Sequence, residues 1–115
     1  MRNILILLMT FGSLVTASAQ EKNKNAKYSI EVSGNCGQCK KRIEKAALSV
    51  NGVKSAVWNE EDGKLSLILN EEKSSLLDVE KAIAKVGHDT PDVKSTDADY
   101  EKLHSCCKYD RETGH

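Results

Sequence analysis

Residues 28–50, YSIEVSGNCGQCKKRIEKAALSV, contain the change of hydrophobic period that decides how the chain folds. Apolar and polar residues alternate from Tyr28 to Val32, and this period of two predicts a half-buried β-strand. After Cys39 the apolar residues recur at helical spacing, which predicts one buried helix face. Cys36 and Cys39 stand at the transition. The residues of the helix face are Ile43, Ala46, Ala47 and Val50.

Two further strands are predicted after this helix. They cover residues 53–59 and 64–69, and the second alternates apolar and polar residues. Asp62-Gly63 lies between them and is a strong signal for a hairpin turn. We therefore expect an antiparallel pair.

A second helix and a last strand complete the predicted order. Ser75 and Asp78 form a near capping box at the start of the helix. Residues 89–95 predict a short edge strand, because Pro91 has no N–H to donate inside a sheet. A short helix is expected over residues 97–104. The order βαββαβ predicts an α+β, ferredoxin-like fold, with a four-stranded antiparallel sheet and two helices on one face.

The first residues have the pattern of a secretory signal peptide. Arg2 precedes an apolar run over residues 4–15, and Ala17-Ser18-Ala19 is a typical cleavage pattern. The run is shorter than the about 20 residues that span a bilayer. We expect residues 1–19 to be removed, leaving a periplasmic or secreted protein without stable membrane insertion. A retained N-terminal anchor helix is the alternative.

The remaining residues are enough for one small domain. We expect a flexible leader over residues 20–27, a domain over 28–95 and a tail over 96–115. The formal net charge of the whole chain is zero, which gives no reason to expect nucleic acid as a partner. The sequence shows no catalytic triad pattern, phosphate loop or paired carboxylates, and we do not predict an enzyme.

The two cysteines between the first strand and helix are suited to soft-metal binding. A helix N-terminus favours the thiolate, and Lys40 and Lys41 are expected to act in the same direction. Two thiolates three positions apart can hold one ion, and sulfur ligands select copper(I), zinc and related metals. Cys36 and Cys39 are therefore the candidate ligands.

Residues 28–88 resemble the heavy-metal-associated domain, which soluble copper chaperones, the periplasmic mercuric-ion binding protein and N-terminal domains of metal-pumping ATPases share. The similarity lies in VSGNCGQC, KKRIEKAAL, NGVKSA and AKVGH. The resemblance implies a metal clasped between Cys36 and Cys39 and passed by ligand exchange to a CxxC-bearing acceptor, such as a metal-transporting ATPase. Copper(I) is the expected cargo, with mercury(II) or zinc(II) as alternatives.

One departure from the family pattern concerns the metal loop. Ser33 and Gly34 occupy the family's glycine and methionine positions. The methionine normally lies under the loop and orients it. Its replacement by Gly34 predicts a more mobile loop.

Other thiols and imidazoles are candidates for additional ligands or for tuning the site. His88 follows the second helix, at the sheet edge where the cysteines are expected. In the tail, His104, Cys106 and Cys107 lie together, and the predicted last helix can return them toward the CxxC loop. A disulfide within the tail pair or to the CxxC, or a disordered end, are the alternatives.

The competing function is thiol–disulfide exchange. Cys36 to Cys39 read CGQC at the start of a helix, which is similar to a thioredoxin-type motif, and Thr90-Pro91 offers a candidate for the facing proline. The tight hairpin after the first helix favours metal binding over this alternative. A structural domain held by disulfides is a third possibility.

Overall fold

The computed structural model describes residues 22–115 of the 115-residue chain. The predicted signal peptide lies outside the described residues. Within residues 22–115, no helix is long and apolar enough to cross a membrane.

The described strands and helices follow the predicted order up to the second helix. Three strands, two main helices, a short third helix and a 3-10 turn are present in this part of the chain. They are β1 (Ala26–Glu31), α1 (Gly37–Leu48), β2 (Val53–Trp58), β3 (Lys64–Leu69), α2 (Leu76–Lys85), α3 (Asp97–Glu101) and the 3-10 turn (Ser105–Cys107).

The sheet is antiparallel and has the order β1-β3-β2. β3 is central, and its alternate residues Leu65, Leu67 and Leu69 are at most 1% exposed. Its neighbours place Ile30 and Trp58 on either side of Leu65. This alternation is the period of two seen in the sequence, and it gives the sheet one buried face.

The two main helices bury the apolar stripes that the sequence predicts. α1 buries Ile43, Ala46 and Ala47 together with Cys39, whereas α2 contributes Val79, Ile83 and Ala84. All of these except Ala84 belong to one core cluster with the sheet. The predicted capping box at the start of α2 is confirmed, with the side chains of Ser75 and Asp78 each accepting a backbone N–H of the other.

The predicted fourth strand is wrong. Residues 89–95 are all described and form no strand. The N–H of Ser33 donates to the carbonyl of Asp89 at 2.9 Å, as a pairing with the extension of β1 would require. Thr90 and Val93 then close a local turn, and Pro91 between them has no N–H with which to continue a ladder.

The buried Glu80 of α2 holds this turn in place. Its carboxylate accepts the Thr90 hydroxyl at 2.9 Å and the Asp92 N–H at 3.0 Å. Both hydrogen bonds go to Oε2 of a residue that is only 1% exposed, where a buried polar atom needs a partner. One of them uses the Asp92 N–H, which in a strand could donate to a neighbouring strand.

Candidate metal centre

The CxxC pair lies where β1 gives way to α1. Cys36 is the N-cap residue of α1 in an extended conformation, and Cys39 is in the first turn of the helix. Their Sγ atoms are 3.4 Å apart. Cys39 is fully buried, whereas Cys36 is half-buried. The pair therefore has one sulfur accessible from solvent and one held in the core.

The start of α1 favours the thiolate form of Cys36. Burial opposes ionisation, but the backbone N–H of Cys39, the thiols of Cys107 and Cys39 and the N–H of Gln38 outweigh it, and together they lower the pKa of Cys36 to about 7. A considerable fraction of this thiol is therefore ionised at neutral pH, ready to bind a soft ion.

Lys40 is not one of the groups that cause this shift. Its ammonium pairs with the carboxylate of Glu44 at 2.7 Å and donates to the carbonyl of Trp58 at 2.8 Å. The expectation that Lys40 helps to ionise the cysteines is not supported, because the side chain bridges α1 to the end of β2 instead.

The side chain of Trp58 packs against Gly34 in the loop between β1 and α1. Its ring is fully buried, and its indole N–H points at the carbonyls of Val32 and Gly63, at 3.0 and 3.1 Å. A Cβ on Gly34 would lie only 3.1 Å from this ring and 3.2 Å from the Cβ of Cys39. The ring thus occupies the space beside the position where the family has its methionine.

The tail brings two more sulfurs to the CxxC pair. The Sγ of Cys107 is 3.2 Å from that of Cys36, and the Sγ of Cys106 is 3.9 Å from that of Cys107. The Sγ atoms of Cys36, Cys106 and Cys107 all lie within 4.8 Å of one another. All four cysteines are free thiols in the structure. The predicted return of the tail therefore occurs without a disulfide.

The two tail thiols differ in environment. Cys106 is exposed, and its thiol lies 3.5 Å from the amide oxygen of Gln38. Cys107 is fully buried. Burial, followed by the thiol contacts with Cys39 and Cys36, raises the pKa of Cys107. In the absence of metal this sulfur is therefore a neutral thiol that donates toward its neighbours.

Tyr109 fastens the tail to the end of α2. Its ring is 1% exposed; its hydroxyl accepts the Asp89 N–H at 2.9 Å and donates to the carbonyl of Gly87 at 2.8 Å. The ring stacks on His88 with centroids 5.7 Å apart. Because Tyr109 is two residues after Cys107, this anchor fixes where the tail thiols lie.

Arg111 provides a second anchor. Its guanidinium makes two hydrogen bonds to the carboxylate of Asp89, at 3.1 and 2.9 Å, and one to Asp97 at 2.8 Å. Burial alone would raise the pKa of Asp89, but the bonds from Arg111 and from the Ser95 N–H keep it below its usual range. The tail is thus held by a partly buried, doubly bonded ion pair.

The two candidate histidines lie outside the sulfur group. His88 is fully buried, and its Nδ1 is 2.8 Å from the carbonyl of Ser33. Burial chiefly, with the nearby positive charge of Arg42, lowers the pKa of His88 to about 4, so the ring is neutral and donates from Nδ1. His104 is exposed and precedes the 3-10 turn. Among the described residues, the three-membered ligand group found contains neither histidine.

Sequence reasoning did not identify Trp58, Tyr109 and Arg111 as supports of this region. The signal for the last two was their position, since an aromatic and an arginine follow the tail cysteines within four residues. Trp58 is the last residue of β2. Its relation to Gly34 was hidden because the two residues meet across the fold.

Comparison with known proteins agrees with this architecture. Residues 29–89 match the family model of the heavy-metal-associated domain. No curated protein sequence matches the chain. Among solved structures, a CopZ metallochaperone is 32% identical with a TM-score of 0.55, covering 56% of this chain and 98% of its own.

Two ATPase domains have similar folds. One is the N-terminal domain of a potential copper-translocating P-type ATPase from Bacillus subtilis in the Cu(I)-loaded state, at 27% identity and a TM-score of 0.55, covering 57% of this chain and 84% of its own. The other is the N-terminal domain of the zinc(II) ATPase ZiaA in its apo form, at 26% identity and a TM-score of 0.50, covering 79% and 85%. With the family match over more than half of its length, this chain belongs to the heavy-metal-associated domain family.

Proposed function

We propose that this protein is an exported metal carrier that holds copper(I) between the thiolates of Cys36 and Cys39. It passes the ion by ligand exchange to the CxxC of an acceptor, such as a metal-transporting ATPase, or retains it as a scavenger. The observation that carries the proposal is the 3.4 Å separation of the two sulfurs at the start of α1.

The donor set favours copper(I). Sulfur ligands without oxygen select soft ions, and copper(I) accepts low coordination numbers that two thiolates can supply. With metal–sulfur bonds of about 2.3 Å, a shared ion needs sulfurs roughly 3.8 Å apart or more. A small rotation of the half-buried Cys36 side chain away from Cys39 would give this separation.

The comparisons support the same choice. One similar domain is described as Cu(I)-loaded and another as part of a zinc(II) ATPase, so zinc(II) is the first alternative for this chain, followed by mercury(II). The relatives reported above are metallochaperone or ATPase proteins. They give no support to a thiol–disulfide oxidoreductase, and a metal carrier requires no catalytic step.

Export is part of the proposal. Residues 1–19 have the charge, apolar run and cleavage pattern of a signal peptide. In an oxidising compartment the thiols need protection from disulfide formation. Bound copper(I) itself provides it, since a thiolate that ligates a metal is less available for oxidation.

Binding to the full, reduced chain tests the proposal under anaerobic conditions. Copper(I) and zinc(II) are titrated separately against chelators of known affinity, and stoichiometry is read by native mass spectrometry. We expect copper(I) to bind more tightly than zinc(II), and the Cys36→Ser/Cys39→Ser variant to lose most of this affinity. Lys45→Ser, an exposed change in the last turn of the same helix, is the matched control and should bind as the wild type does. Equal affinity in the cysteine variant and the control would refute the proposal.

A further inference from the structure

A second sulfur group overlaps the CxxC pair. Cys36 belongs to both groups, since its Sγ is 3.4 Å from that of Cys39 and 3.2 Å from that of Cys107. Cys106 belongs only to the second group, where its Sγ is 3.9 Å from that of Cys107. The tail therefore does more than cover the loop. It brings two more Sγ atoms close to that of Cys36, so that three thiols lie within 4.8 Å of one another.

The convergence is built into the fold. Cys107 is fully buried, and the two anchors that follow it, Tyr109 and Arg111, bond to the segment after α2. Leu103 packs on the other side of the turn, where a Cβ on Gly87 would be only 2.8 Å from it. Gly87 has a φ of 101°, a conformation that favours glycine. Contacts before and after the 3-10 turn thus fix the tail cysteines.

The geometry of the three sulfurs suits one soft ion. An ion with metal–sulfur bonds of about 2.3 Å and three ligands in a plane has sulfurs roughly 4 Å apart. The Sγ atom of Cys107 is 3.2 Å from that of Cys36 and 3.9 Å from that of Cys106, and all three lie within 4.8 Å of one another, so shifts of less than about 1 Å would give a trigonal site. Exposed Cys106 gives the ion a path from solvent.

We propose that Cys36, Cys106 and Cys107 form a three-thiolate site for a soft cation of the copper(I) class, which shares Cys36 with the CxxC pair. The proposal rests on the proposed function for the class of ion, but two of its three ligands, Cys106 and Cys107, lie outside the CxxC pair. Each ligating thiol releases its proton to solvent as the ion binds. The nearby start of α1 partly compensates the negative charge of the filled site.

The Cys39→Ser variant isolates this site, because it breaks the CxxC pair and leaves the three thiols intact. Full-length, reduced Cys39→Ser protein is loaded with one equivalent of copper(I) under anaerobic conditions. The number of sulfur ligands is measured by X-ray absorption at the copper edge, and affinity by chelator competition. We expect three sulfurs per copper.

Adding Cys106→Ser to this variant should reduce the number of sulfur ligands from three to two and weaken copper binding by at least about 10-fold. Even the loss of a group that only supports a metal ligand weakens binding by about 10-fold or more. Cys106 is exposed, so the substitution does not threaten folding. Adding Lys108→Ser, at a neighbouring exposed position, is the matched control and should change neither quantity.

The result that overturns the proposal is a Cys39→Ser protein whose copper affinity and sulfur number do not change when Cys106→Ser is added. Failure of the proposed function gives a different result. In that case the Cys106→Ser/Cys107→Ser variant, which retains the CxxC pair, binds no copper(I). The proposed function and the three-thiolate site are therefore tested by different variants.

Discussion

The Sγ atom of Cys107 lies 3.2 Å from the Sγ atom of Cys36, although 71 positions separate the two residues in the sequence. This contact joins the C-terminal tail to the loop that begins α1. The tail is anchored in turn to the segment after α2 through Tyr109. The loop, the tail and the end of α2 are therefore in direct contact, and a substitution in one of them should affect the other two.

Removing the hydroxyl of Tyr109 should destabilise the protein. Tyr109→Phe leaves the Asp89 N–H and the Gly87 carbonyl without their buried partner, and such groups cost about 1–3 kcal/mol. We expect a loss of this size in the free energy of unfolding of the reduced, metal-free protein, measured by denaturant titration.

Tyr28→Phe is the matched control for that change. The Tyr28 hydroxyl donates to Glu71 at 2.7 Å in a part-exposed position, where water can replace it, so the loss should be less than about 1 kcal/mol. Equal losses in the two variants would mean that the tail anchor has no special role.

Restoring the family's methionine at Gly34 should harm this protein. A Cβ there already meets the Trp58 ring at 3.1 Å, and overpacking of this kind costs about 1–3 kcal/mol. We expect Gly34→Met to be destabilising, and Gly34→Met/Trp58→Leu to be more stable than the sum of the single changes predicts. Strict additivity in a double-mutant cycle of unfolding free energies would contradict the account.

The buried His88 should make the metal-free protein sensitive to mild acid. Its pKa is about 4 in the folded protein and about 6.5 when unfolded, so the unfolded state binds a proton first as the pH falls. The contribution of His88 to the free energy of unfolding is therefore complete above pH 6.5. It declines by up to about 1.4 kcal/mol per pH unit as the pH falls from 6.5 to 4.

The check compares His88→Gln with His104→Gln in unfolding experiments across that pH range. Glutamine retains a donor for the Ser33 carbonyl but does not titrate. His88→Gln should therefore reduce the loss of stability at low pH, whereas His104→Gln, at an exposed position, should leave that loss unchanged. A wild-type decline that persists in His88→Gln would assign the effect to other groups.

The four thiols should differ in their rates of alkylation. Cys106 is exposed and Cys36 is half-buried with a lowered pKa, so both should react quickly in the metal-free, reduced protein. Buried Cys39 and Cys107 should react slowly. Peptide mass mapping gives the order, and a fast-reacting Cys107 would show that the tail is open.

Local patterns were sufficient to predict most of the fold. The alternation in β3 and the helical spacing in α1 describe single elements whose buried faces follow from period alone. The capping box of Ser75 and Asp78 and the hairpin at Asp62-Gly63 are likewise decided within a few residues.

The features that could not be predicted depend mostly on contacts between residues far apart in the sequence. The segment 89–95 forms a local turn in which Glu80 accepts the Thr90 hydroxyl and the Asp92 N–H, a partnership that no local pattern shows. Lys40 was expected to act on the thiols, but Glu44 and the Trp58 carbonyl hold it elsewhere. The return of the tail cysteines toward the CxxC loop was predicted, but the contacts of Tyr109 and Arg111 that hold them there were not.

The most direct test of the central claim is X-ray absorption at the copper edge for the full, reduced chain with one equivalent of copper(I). We predict a ligand shell made only of sulfur, which is lost when Cys36→Ser and Cys39→Ser are combined. A shell containing nitrogen or oxygen in the wild type, or a sulfur shell unchanged in that variant, would contradict it.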